Sequence, residues 1–120
     1  MTETERKELN ERLLKASGFH YEKFGGSIEG WPPPNVSREN ATWETLTLSH
    51  ERVVDLTSSV DACIKWIVPK LEGVWNIYHE QNQLYFVEIH SFQKFFYGND
   101  LSLPLAFCLA AIKYFEEVSK

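Results

Sequence analysis

The sequence predicts an α+β fold, a three-stranded antiparallel β-meander sandwiched between α-helices. Three observations carry the prediction. Apolar residues recur at helical spacing in three separate stretches, led by Leu9, Val60 and Leu105. Between the second and third stretch, Val74 to Tyr97 is rich in the aromatic and β-branched residues that favour strands. Serines at capping positions, Ser58 and Ser102, bracket that segment.

The first helix is expected over roughly 3–17. Thr2 and Glu5 have the spacing of a capping box, Leu9, Leu13 and Ala16 form a narrow apolar stripe, and Gly18 supplies the stop. From Phe19 to Asp55 the pattern is irregular. Gly25-Gly26-Ser27 is turn chemistry, and Pro32-Pro33-Pro34 excludes both helix and central strand. Within it, alternation from Trp43 to Leu48 allows a short fourth, edge strand. The chain therefore reads as one domain over 1–120 with an irregular segment at about 24–54.

The second helix is expected to open at Ser58, with Asp61 three residues on, and to end near Pro69 and Gly73. In the meander, Gln81-Asn82 offers a tight turn, which would pair Tyr78 with Tyr85, Ile77 with Phe86 and Trp75 with Glu88. Large apolar residues then fall on both faces, so the sheet needs cover on both sides or uses one face for binding. Phe92 to Tyr97 forms the third strand, ended by Gly98-Asn99-Asp100. The last helix is capped by Ser102, with Pro104 in its first turn, where a missing N–H costs nothing.

Three segments resemble the phage alpha-beta-alpha (ABA) sandwich domain family of small phage and prophage proteins. They are the Leu9–Leu13 helix running into a Trp-containing loop, the stretch Asp55–Leu71 with its Trp66 and Val68-Pro69-Lys70, and Leu103–Ile112 directly after the meander. The resemblance implies helices on both faces of a small antiparallel sheet, a phage or prophage origin and a place in the bacterial host cytoplasm. It supplies no activity and no catalytic residues. The chain departs from the family pattern between Trp31 and Val54, which is longer and more irregular.

Composition narrows the function classes. The formal net charge is −5, which opposes bulk binding to the phosphate backbone. No apolar run is long enough to cross a bilayer, and the charged N-terminal dozen lacks the apolar core of a secretory signal. Cys63 and Cys108 each lie in an apolar helical pattern and read as buried free thiols. His20, His50, His79 and His90 stand far apart with no cysteine at ligand spacing, so no metal and no cofactor is expected. No phosphate-binding glycine loop is present.

Two sets of candidate residues remain. Glu88 and His90 alternate onto one sheet face, which allows His90 to act as a general base oriented by Glu88; the simpler reading is a polar strand end flanked by core aromatics. The second set follows from an aromatic content of 14%. Trp31, Trp43, Trp75, Tyr85 and Tyr97, with Arg52 or Lys94, suit stacking and charge contacts to a ligand or partner, although Trp75 and Tyr85 also read as sheet core. The leading expectation is a non-enzymatic, phage-encoded binding protein that sequesters a host protein or a small signalling nucleotide, and that forms a homo-oligomer. Two alternatives are a small hydrolase or nucleotide-modifying enzyme using Glu88 and His90, and a structural or assembly protein acting through self-association.

Overall fold

The computed structural model of the chain describes residues 1–25, 28–31, 54–81 and 83–120. Along the described residues the order is α1 (Glu3–Ala16), β1 (Glu22–Gly25), β2 (Ile28–Gly30), α2 (Val60–Trp66), β3 (Val74–His79), β4 (Tyr85–Ser91), β5 (Lys94–Asp100) and α3 (Leu103–Val118). The chain divides into two compact units, residues 1–13 with 55–120, and residues 14–54.

The smaller unit holds the end of α1 and a two-stranded antiparallel hairpin, β1–β2. Sequence reading saw only turn chemistry there. The α1 C-terminus is a Schellman motif: Phe19 N–H donates to Leu14 C=O at 2.9 Å, Gly18 N–H to Lys15 C=O at 3.1 Å, and Gly18 has φ 100°. The edge strand expected at Trp43–Leu48 lies outside the described residues.

The larger unit has the expected α+β class: β3, β4 and β5 form one antiparallel meander in that order. At the start of α1 the capping box forms reciprocally, Glu5 N–H donating to Thr2 Oγ1 at 3.1 Å and Thr2 N–H to Glu5 Oε1 at 3.4 Å. The cap of α2 is Ser59 rather than Ser58. Its hydroxyl accepts from Ala62 N–H at 3.1 Å, and a single 3₁₀ turn, Val68–Lys70, carries Pro69. Ser102 caps α3 as expected, accepting from Leu105 N–H at 3.4 Å.

The register corrects the expected pairing by one residue. Tyr78 lies opposite Phe86, Ile77 opposite Val87 and Trp75 opposite Ile89, with Asn76 opposite Glu88. The connection from β3 to β4 is longer than two residues: Glu80 N–H donates to Leu84 C=O, and Gln83 has φ 68°. Because side chains alternate, this slip exchanges the faces of β3 relative to β4. The third strand also starts later than expected. Phe92 and Gln93 form the β4–β5 turn, and Gly98-Asn99-Asp100 belongs to β5 rather than ending it.

Helix α3 lies along one face of the sheet. Phe107 meets Trp75 edge-on at 5.5 Å, Tyr114 meets Phe96 at 5.7 Å, and Lys113 Nζ donates to the Tyr97 carbonyl at 2.7 Å. At Gly98 the strand runs close against the helix, and an added Cβ would stand 2.2 Å from the Ala106 carbonyl oxygen. On its other side α3 meets the segment before α2: the Cys108 and Cys63 thiols both donate to the Leu56 carbonyl, at 3.2 and 3.1 Å. The two sulfurs are 3.9 Å apart, buried and free, and the adjacent Cys63 thiol together with burial pushes the Cys108 thiol pKa up. An Arg12–Glu116 ion pair joins α1 to the same helix. With neighbours on both sides, α3 is buried almost all round from Leu105 to Ala111, as expected of a helix without a polar face there.

The Asp55–Ser59 segment is fixed to α1. Buried Asn10 Oδ1 accepts from Leu56 N–H at 2.8 Å, and the Arg6 guanidinium donates to Thr57 Oγ1. Partial burial raises the Asp55 carboxyl, but hydrogen bonds from Thr57 and Ser58 and the Arg6 charge outweigh it, leaving the pKa below the ordinary value.

Candidate binding face of the sheet

Strand alternation and the observed register assign the second face of the sheet. It carries nine side chains in three rows across β3, β4 and β5: Val74–His90–Phe95, Asn76–Glu88–Tyr97 and Tyr78–Phe86–Asn99. At usual strand spacings these positions cover about 10 Å by about 14 Å. Among the described residues, none of α1, α2 or α3 makes a hydrogen bond or ring contact with these nine side chains; the Lys113 bond goes to the Tyr97 backbone. Four of the face's apolar members are exposed, Val74 at 60%, Tyr78 at 50%, and Phe95 and Tyr97 at 49% each, whereas Phe86 on the middle strand is half-buried. Of the two alternatives open to a sheet apolar on both sides, α3 covers one face and the other presents its aromatics.

The rings on this face are ordered against one another. His90 stacks on Phe95 with centroids 4.1 Å apart and planes within 5°, and Phe95 is followed by Tyr97 at 6.0 Å and 8°. Tyr97 sits on a backbone held from behind by Lys113 and drawn toward α3 at Gly98. Glu88 occupies the centre, half-buried, with Tyr97 and Asn76 directly opposite on the flanking strands. Among the described residues it has no hydrogen-bond or ion-pair partner, and no Lys or Arg shares the nine positions.

The sequence-derived candidates are distributed differently. Glu88 and His90 share the open face, as alternation requires, but the His90 ring lies flat on Phe95 and no hydrogen bond joins it to Glu88. Trp75 lies on the covered face against Phe107, opposite Ile89 instead of Glu88. Lys94 also lies at the covered face, paired with Glu117, whose carboxyl is held below its usual pKa by hydrogen bonds from Lys94 and Lys120. Trp31 belongs to the smaller unit, is buried at 5% exposure, and has the Lys15 ammonium 5.8 Å from its ring centroid and Tyr21 edge-on. Trp43 and Arg52 lie outside the described residues. The residues that sequence reasoning missed as contacts are Tyr78 and Phe95; the available signal was the register, which decides the face.

Chemically, the face offers stacking surfaces, one central carboxylate and two amides, at Asn76 and Asn99. Among the described residues, no group of His, Cys, Asp and Glu is arranged to hold a metal ion, and no helix is long and apolar enough to cross a membrane. Compared with family models, with curated proteins and with solved structures, the chain finds no match in any of the three.

Proposed function

We propose that the protein is a non-enzymatic binding protein that captures its target on the open face of the sheet. The observation that supports this most directly is the set of exposed aromatic side chains at Tyr78, Phe95 and Tyr97 on strands backed by a buried helix. Exposed aromatics grouped on a rigid element mark interaction surfaces, because they offer large contact area at low conformational cost. The resemblance to small phage proteins supports a target in a bacterial host, with sequestration as the action. Glu88 and His90 do not form a hydrogen-bonded acid–base pair here, which favours holding a target over transforming it.

Native mass spectrometry of the full chain purified from producing bacteria tests this reading, because it reports subunit number and retained molecules together. The wild-type chain is expected to carry a bound molecule that is released chemically unchanged, and a Phe95→Ser/Tyr97→Ser chain is expected to lose it while keeping its circular dichroism spectrum. Equal retention by both chains, or release of a converted product, would sink the reading.

A further inference from the structure

Resting on that proposal, we infer that the open face docks an extended, arginine-bearing segment of a partner protein, with a guanidinium seated over Tyr97 and against Glu88. The argument is one of charge and geometry. Glu88 sits at the centre of the face on the middle strand, half-buried, without a cation among the described residues. A half-buried carboxylate beside a ring gains a charge-assisted partner when a cation meets it. Tyr97 is directly opposite, and cross-strand neighbours stand about 5 Å apart, so one cation paired with Glu88 comes within about 6 Å of the Tyr97 ring.

Arginine fits this pair better than lysine. Its planar guanidinium stacks on a ring while directing two N–H groups at one carboxylate, whereas an ammonium is a strongly hydrated point charge. The nearly parallel His90, Phe95 and Tyr97 rings extend the platform along β4 and β5, in the direction an extended peptide would run. Asn76 and Asn99 add amide groups on either side for the peptide backbone. The overall charge of −5 acts in the same sense, steering cationic segments inward and phosphate-bearing ligands away.

Isothermal calorimetry with a blocked (Arg-Gly)₄ peptide and the full chain tests the inference, with (Lys-Gly)₄, a single-stranded oligonucleotide and AMP as comparison probes. The arginine peptide is expected to bind, more tightly than the lysine peptide, and to weaken as salt rises. Glu88→Gln and Tyr97→Leu are each expected to reduce affinity at least tenfold. The first keeps shape and removes charge, the second keeps apolar area and removes the ring, and circular dichroism checks that both remain folded. Four results would overturn the inference: no binding, binding by either variant as tight as that of the wild-type chain, tighter binding of either nucleotide probe, or a dimer in sedimentation that Tyr97→Leu dissociates. If the native chain retains a face-bound molecule while the arginine peptide fails, the partner chemistry is wrong and the binding function stands.

Discussion

Phe92 and Gln93 adopt φ 53° and 64° between β4 and β5, the left-handed region that L side chains occupy at a cost of about 1 kcal/mol each. Positive φ at both central residues marks the type I′ hairpin turn, for which Asn-Gly is the preferred pair. Phe92 is 68% exposed, so little apolar burial offsets its strain. Replacing the pair by Phe92→Asn/Gln93→Gly is expected to stabilise the protein by about 1 kcal/mol, raising Tm by about 4 °C in calorimetry. A lower Tm would show that Phe92 holds the native state through a contact its exposure does not suggest. The same residue explains why the third strand was placed early from sequence. Its aromatic side chain has strand propensity, and only backbone geometry identifies it as a turn. Ser58 and Ser59 present a similar ambiguity, since either has a suitable hydroxyl and only the bond to Ala62 N–H decides between them.

Strand β5 meets helix α3 closely at Gly98. A Cβ there would stand 2.2 Å from the Ala106 carbonyl oxygen and 2.5 Å from the Ala110 nitrogen, both backbone atoms that no rotamer change can move. Gly98→Ala is therefore expected to cost about 1–3 kcal/mol, read as a lower urea midpoint with an unchanged m-value. An unchanged midpoint would mean that β5 and α3 can separate freely. The three helices, both serine-bounded starts to within a residue, and the meander itself were legible, because caps and apolar spacing are local signals. Register was not. Trp75 and Ile77 point one way and Val74 and Tyr78 the other, so the period-2 pattern that normally chooses a register is nearly symmetric in β3.

For the whole molecule, that symmetry decided how much of the candidate site could be read in advance. Choosing residues by chemistry selected Trp75 and Lys94, which the register and α3 place on the covered side, and Trp31, which belongs to the smaller unit. Glu88 and His90 were found because alternation along one strand needs no partner strand. Tyr78 and Phe95 required two correct registers. The open face is thus a property of the assembled sheet, while its central carboxylate is a property of β4 alone.

The position of α3 between the sheet and the Leu56 segment carries a consequence for the order of folding. Its sheet-side neighbours are close in sequence, Gly98 lying just before the helix, whereas the Cys63–Cys108 and Arg12–Glu116 contacts close separations of 45 and 104 residues. Short loops close at lower entropic cost, so the hairpin β4–β5 with α3 is expected to form the nucleus, and α1 to dock afterwards. Stopped-flow chevrons should then give Val87→Ala, in that nucleus, a φ-value above about 0.5, with Leu9→Ala, on α1, below about 0.3. The reverse ranking would place nucleation at the helices. With the expected one, β4 and β5, two of the three strands that carry the open face, are in register before α1 has closed the far side of the core.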